Sequence, residues 1–219
     1  MRTLPDFDDA YRQDSVFSGV EGIPWNIGEP QPPIAELIDS GRVRGEVLDA
    51  GCGVGETALS LAARGYRAVG LDNSPAAIEQ ARAAATARGL DAEFAVADIT
   101  DFTGHDGRFS TVLDSTLFHS LPVQRRDDYL RAIARASAPG ALLHVLTFSS
   151  EAQFPDEGAP NTVDESTLRE TVARHWTVDE VRPSAITVVF PPVQAPNVGT
   201  DDRGRSRLPA FLLSAHLPG

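Results

Sequence analysis

Residues 47–72, VLDAGCGVGETALSLAARGYRAVGLD, constrain the fold more than any other stretch of this 219-residue chain. Val47 and Leu48 close a short apolar strand. Gly51, Gly53 and Gly55 then follow at alternate positions. Three glycines so close together let the backbone turn tightly and approach a ligand with no Cβ in the way. A helix begins at Glu56 and Thr57, with Ala58, Leu59, Leu61 and Ala62 as its apolar face and Gly65 where a helix is usually capped. A second apolar strand, Ala68–Leu71, ends on Asp72, 21 residues beyond Gly51. An acid at that spacing is placed to accept both hydroxyls of a ribose.

The turn reads Gly-x-Gly-x-Gly, with Glu56 where the third glycine of a dinucleotide turn would fall. In that fingerprint the helix start holds a pyrophosphate, and a carboxylate there repels it. Asp49, two residues before Gly51, adds a second negative charge. The pattern suits a ligand with a ribose and a cationic or zwitterionic head, and disfavours a nicotinamide dinucleotide.

VLDAGCGVGETAL resembles the first motif of the class I S-adenosylmethionine-dependent methyltransferases. Asp49, Asp72 and Asp98 stand at that family's spacing over roughly residues 44–148. The resemblance implies an α/β fold: a Rossmann-like, doubly wound seven-stranded sheet, mostly parallel with an antiparallel C-terminal strand. It implies S-adenosyl-L-methionine as cofactor and S-adenosyl-L-homocysteine as product. Cofactor contacts then fall to Asp49, Gly51, Gly53, Gly55, Asp72, Asn73 and Asp114. Asp98 would take the adenine amino group, and Ile99 would pack on the ring.

The order of elements agrees with this fold. Asn73-Ser74-Pro75 starts a helix, Ala76–Arg88, stopped by Gly89. A third strand is expected over Asp91–Ala97 and a fourth over Phe109–Leu113. A helix follows over Arg125–Ser137, and a fifth strand over Ala141–Phe148 after the turn Pro139-Gly140. The remainder reads as a loop with a possible covering role (Phe154–Asn161), a helix (Asp164–His175), strand runs within Trp176–Phe190, an exposed connection (Pro191–Arg207) and a last strand (Leu208–Leu217). Residues 1–43 form an N-terminal lid and entrance helix, and 44–219 the methyltransferase domain.

Within the first part, residues 3–20 read as a short helix or lid. GIPWNIGEPQPP, residues 22–33, follows, and Pro32 and Pro33 open the helix Ile34–Ser40. That loop is either a linker whose Trp25 covers the core or an ordered entrance. It resembles small-molecule methyltransferases of the thiopurine and heterocyclic-toxin type, in which a tryptophan before the domain helps enclose cofactor and substrate. Trp25 and Gln31 are then cofactor contacts as well.

Methyl transfer from a sulfonium is an in-line displacement, which needs alignment and exclusion of water. A hydroxyl acceptor also gains from a base, and histidine suits neutral pH. Among His105, His119, His144, His175 and His216, only His119 follows the fourth strand, whose end faces the transferred methyl group in such folds. It is either a structural residue at a helix start or a general base or substrate anchor, with Asp114 to orient it or contact the substrate. Trp25, Phe118 and Phe154 could wall a planar ring. No metal site is evident, because carboxylate, His-x-x-x-His and Cys clusters are missing from the sequence.

The net charge of −12 argues against a nucleic-acid partner. A hydrophobic content of 42% describes a globular chain, and no apolar run approaches the ~20 residues of a membrane span. Cys52, the single cysteine, rules out an intrachain disulfide. With the acidic N-terminus it suggests the cytoplasm. The expected activity is methylation of an oxygen, nitrogen or sulfur of a small aromatic or heterocyclic molecule. The alternatives are a quinone or polyketide-type biosynthetic intermediate as acceptor, or a non-catalytic S-adenosylmethionine-binding protein. Oligomeric state is not written in the sequence.

Overall fold

Five parallel strands carry the centre of the protein, a computed structural model that describes residues 6–14, 22–154, 159–189 and 198–219. They are β1 (Val47–Ala50), β2 (Ala68–Asp72), β3 (Glu93–Val96), β4 (Phe109–Ser115) and β5 (Ser137–Phe148). β6 (Thr177–Val188), a two-residue β7 (Gly199–Thr200) and β8 (Ser206–His216) complete the sheet. The order is β3-β2-β1-β4-β5-β8-β6, with β7 on β8. β8 runs antiparallel between β5 and β6. The expected seven strands are present, and β7 is one short addition.

Among the described residues, six α-helices accompany the sheet: α1 (Phe7–Gln13), α2 (Pro32–Asp39), α3 (Glu56–Ala63), α4 (Pro75–Arg88), α5 (Arg126–Ala136) and α6 (Glu165–Val172). β1 is buried along its whole length, as a central parallel strand covered on both faces must be. Its side chains divide accordingly. Leu48 and Ala50 join a core with Tyr129, Leu130 and Ile133 of α5 and Leu168 of α6. Val47 joins the opposite core with Ile34 and Leu37 of α2, Leu59 and Leu61 of α3, and Ile78 of α4.

Local chemistry sets the helix ends. Ser74 Oγ accepts the Ala77 amide and caps α4, and Gly89 closes it at φ +62°. Asp164 caps α6 through the Thr167 amide. α6 stops at Val172 rather than reaching His175. β5 starts earlier than expected, at Ser137. The strand absorbs Pro139-Gly140 in a register break opposite Phe109–Thr111.

α1 docks on the N-terminus of α4. Asp8 Oδ1 accepts both the Ser74 hydroxyl (2.7 Å) and the Ala76 amide (3.0 Å). The rest of the expected N-terminal lid, residues 155–158 of the expected cover, residue 190 of the expected strand run and residues 191–197 of the expected connection lie outside the described residues. Among the described residues, no helix is long and apolar enough to cross a membrane.

Candidate active site

The strand order reverses at β1, which lies between β2 and β4, and open α/β sheets bind ligands beyond the strand C-termini at such a point. Here that place is an open cleft of about 510 Å³. The glycine turn, Asp49, Tyr11, Trp25, Ser115 and Thr116 are among its lining.

The turn is shaped by the strand beside it. Gly51 and Cys52 donate their amides to Leu71 O, at 2.8 and 3.0 Å. A Cβ on Gly51 would strike the Leu117 side chain at 2.8 Å, and one on Gly55 the Phe94 ring at 2.7 Å. These two glycines therefore serve internal packing. A Cβ on Gly53 would meet Tyr11 Oη at 2.6 Å, so α1 lies directly over the turn. Trp25 Nε1 donates to the same Tyr11 oxygen at 3.2 Å, which brings the entrance loop and α1 together above the turn.

Two acids stand by the turn: Asp49 lines the cleft, and Asp72 holds the turn from the end of β2. Asp72 Oδ2 accepts the Gly53 amide at 2.8 Å, and Oδ1 accepts the Ser74 amide at 2.9 Å. Each oxygen keeps a lone pair for another donor. Asp49 is 2% exposed, and its Oδ2 accepts the Ala58 amide at 3.0 Å. Its Oδ1 has no partner among the described residues. Burial lifts this carboxyl to about 7, with the charges of Asp72 and Asp114 pushing the same way. Glu56 also lines the cleft, but Arg88 holds it through both oxygens at 2.7 and 2.8 Å.

Other expected contacts are placed differently. Gln31 lines the cleft, but its amide is engaged within the fold. Its Oε1 accepts the Thr187 amide at 2.8 Å, and its Nε2 donates to Thr187 O at 2.9 Å and Trp25 O at 3.4 Å. It ties the entrance loop to β6 and has no free amide for a ligand. Ile99 is buried with Phe102 in the core rather than presented to a ring. Asn73 and Asp98 are exposed at the ends of β2 and β3. Asp98 Oδ1 accepts from the amide and hydroxyl of Thr100 at 2.9 and 2.6 Å.

The segment after β4 departs most from expectation. Asp114 is fully buried and does not orient His119. Its Oδ1 caps the following 3-10 turn through the Leu117 and Phe118 amides, and its Oδ2 accepts from Tyr129 Oη at 2.8 Å. Burial raises its carboxyl to about 7, against those three bonds. Phe118 is no ring wall, because the turn sends it into the core under the Arg126 guanidinium, 4.5 Å above its ring. His119 is 4% exposed and packs on Phe148, with ring centroids 4.4 Å apart. Phe154 stacks edge-on against the same Phe148 at 4.8 Å. The aromatic row is thus His119, Phe148 and Phe154, and Phe148 was not anticipated. Ser115 and Thr116 were also missed, although they directly follow Asp114 at the end of the fourth strand.

The other four histidines have partners away from the cleft. His105 contacts Arg108, His144 bonds Ser214, His175 meets Asp127 and His216 meets Asp179. No group of three His, Cys, Asp or Glu side chains fit to hold a metal occurs among the described residues.

The chain is 48% identical over 206 residues to the 2-heptyl-1-hydroxyquinolin-4(1H)-one methyltransferase of Mycobacteroides abscessus. That match covers 94% of this chain and 88% of the relative. The chain belongs to the S-adenosylmethionine-dependent methyltransferases. Residues 47–140 of this methyltransferase match the family described as a methyltransferase domain. A solved structure concerned with conversion of a disulfide bond into a thioacetal group during echinomycin biosynthesis superposes with a TM-score of 0.83. It is 37% identical, and the match covers 97% of this chain and 91% of that one. The 1,6-didemethyltoxoflavin-N1-methyltransferase of Burkholderia thailandensis shares the fold at a TM-score of 0.63 and 21% identity, covering 86% and 77%. The methyltransferase's own donor set fits a cationic cofactor. The cleft floor presents a buried carboxylate with an unengaged oxygen, and an anionic ligand would be repelled there.

Proposed function

We propose that this methyltransferase alkylates an oxygen, nitrogen or sulfur of a small aromatic or heterocyclic compound. The observation that carries the reading is one cleft, lined by the indole of Trp25 and by Ser115 and Thr116 at the end of β4, beside the glycine turn. An indole offers a flat apolar face to a ring, and the end of β4 adds hydroxyl-bearing residues. The named substrate of the Mycobacteroides abscessus relative, a hydroxyquinolinone, is a compound of this class.

In this reading Asp49 holds the cofactor's ammonium and Asp72 its ribose hydroxyls, with Asn73 beside them. Asp98 lies at the mouth of β3 for the adenine amino group. Tyr11 and Trp25 cover the turn and keep water from the reacting atoms. When bound, the cofactor supplies a methyl group on a sulfonium: the acceptor's electron pair forms the new bond to carbon, and the C–S bond breaks with its pair left on sulfur. The protein's share is alignment and desolvation. The single cysteine supports a cytoplasmic enzyme, and the net charge of −12 supports a small-molecule rather than nucleic-acid substrate.

Release of S-adenosylhomocysteine over a panel of phenols, hydroxyheterocycles, azaheterocycles and thiols tests the reading. Turnover with one ring class at least tenfold above the rest is the expected result. Binding of the cofactor with no turnover on any acceptor would favour the non-catalytic alternative. A sulfur acceptor deserves its place in the panel because of the echinomycin-related neighbour.

A further inference from the structure

Glu29 belongs to the entrance loop and lines the cleft. Its Oε1 meets two guanidinium groups, Arg203 Nη1 at 3.1 Å and Arg205 Nη2 at 2.9 Å. Both arginines lie in the turn between β7 and β8, with Arg203 174 residues from Glu29 in sequence. One wall of the cleft is therefore gripped from the far end of the chain.

The turn is built to hold Arg205 still. Asp201 Oδ1 accepts the Arg203 and Arg205 amides at 3.0 and 2.8 Å, and Gly204 stands between them at φ +76°. Asp201 Oδ2 accepts from Arg205 Nε at 2.6 Å. The guanidinium thus spans two carboxylates, Asp201 through Nε and Glu29 through Nη2, and its side chain is 14% exposed. A planar fork with fixed donor directions makes such a bridge, whereas an ammonium is a point charge on a flexible stem. An isolated exposed pair would add little, but a largely buried network of this kind fixes geometry.

Both ends of the entrance loop are tied to the neighbouring strand end. Gln31 bonds Thr187 through both of its amide atoms, and Pro24 O accepts the Val189 amide at 2.8 Å. Thr187 and Val188 of β6 stand opposite Arg207 and Ser206 of β8, the residues that directly follow the turn. These bonds set where the loop meets β6, and Glu29 sets the bend between them. Trp25 rides on that bend. Its carbonyl accepts Gln31 Nε2 at 3.4 Å, a long bond, and its indole donates to Tyr11 at 3.2 Å.

We propose that Arg205 is a positioning residue for the acceptor: through Glu29 it sets the entrance loop, and with the loop the Trp25 face against which the acceptor lies. The assignment rests on the ring-compound reading given under Proposed function. Arg205 is not among the cleft's lining residues, so it acts through Glu29 and not on the substrate itself. Asp49 and Asp72, assigned to the cofactor, stand on the ends of β1 and β2 and do not depend on the loop. The latch therefore bears on the acceptor more than on the cofactor.

The test compares Arg205→Met, Glu29→Gln and the double variant in the full chain. The readouts are KM and kcat for the best ring acceptor of the panel at saturating S-adenosylmethionine, and the Kd of S-adenosylhomocysteine. Each single variant should raise the acceptor KM by about three- to thirtyfold and leave kcat and that Kd within about threefold, as for two residues coupled in one network. The double variant should be no worse than the poorer single, because the two residues form one link. Arg205→Lys should recover part of the loss.

A second readout needs no acceptor. The chain has two tryptophans, and Trp176 is 3% exposed in the core. In a Trp176→Phe background, emission from Trp25 should shift to the red and become more open to acrylamide in both single variants. Glu29→Gln leaves the Asp201–Arg205 turn whole and decides the point if Arg205→Met does not fold. An unchanged acceptor KM in folded variants would overturn the proposal. So would KM losses that multiply in the double variant, or an equal loss of S-adenosylhomocysteine affinity, which would mean general loosening. No turnover on any ring compound overturns the reading beneath, and the Trp25 signal then still decides whether Arg205 holds the loop.

Discussion

Asp72 accepts the backbone amide of Gly53 at 2.8 Å, so the acid at the end of β2 also holds the glycine turn that follows β1. Asp72→Ala should therefore weaken cofactor binding and the turn together. Two charge-assisted bonds lost to the ribose correspond to on the order of 2–4 kcal/mol. Titration calorimetry should show the affinity loss, and a thermal melt without cofactor should show a lower midpoint. Asp72→Asn keeps one acceptor and should fall between. A cofactor Kd within threefold of the parent for Asp72→Ala would remove the ribose from this residue.

If Asp49 holds the cofactor's ammonium as proposed, cofactor binding gains a pH dependence of known sign. Its carboxyl titrates near 7 in the free protein because burial opposes the charge. A bound ammonium favours the carboxylate and lowers that value, so the complex holds fewer protons than the free protein. Affinity should rise with pH up to about 7 and flatten above it, by at most about tenfold per unit. Asp49→Asn should bind weakly and without this slope. A parent affinity that is flat from pH 5.5 to 8 would contradict the assignment.

Local features of the fold were legible because they depend on neighbours in sequence. The glycines and the strand-ending acids mark β1, the turn and β2, and Ser74-Pro75 and Gly89 bound α4 without reference to the rest of the chain. Position alone puts Asp49 and Trp25 at the cleft and Asp72 beside the turn. Gln31 is spoken for by Thr187, 156 residues away, and Asp114 by Tyr129 on the next helix. The tautomer of His119 is set by an amide 29 residues downstream. A sequence motif places these side chains near a strand end but does not show which of their atoms are already used.

Asp114 makes this difference measurable. Its carboxyl, near 7 when folded and near 3.8 when unfolded, keeps its proton to higher pH in the folded state. That contribution to stability is present at low pH and is lost as pH rises through about 7. Relative to Asp114→Asn, the parent should lose stability between about pH 4 and pH 7, by at most about 1.4 kcal/mol per unit, and level off above. Denaturant titrations of both proteins at the two pH values measure this. With a capping role alone, Asp114→Asn should keep kcat within about tenfold. A loss of 10³-fold or more in a folded variant would return Asp114 to the chemistry.

Thr116 carries backbone strain at the cleft. It stands at φ +80°, where a β-branched residue is a genuine outlier, and such a conformation costs about 1–3 kcal/mol. Two bonds hold it there: its amide donates to Leu146 O at 3.0 Å, and its carbonyl accepts from Ser120 Oγ at 3.1 Å. The side chain lines the cleft, and its hydroxyl has no partner among the described residues. A glycine would take this conformation without steric cost, although its freer unfolded chain offsets part of the gain. Thr116→Gly should therefore be as stable as the parent or up to about 1 kcal/mol more stable, and at least about tenfold poorer in kcat/KM as the hydroxyl and the wall are lost. Thr116→Ser keeps the hydroxyl and should retain most of the activity. Thermal melts and S-adenosylhomocysteine release on the same preparations check both halves. A Thr116→Gly enzyme as active as the parent would mean that the strain serves the turn alone.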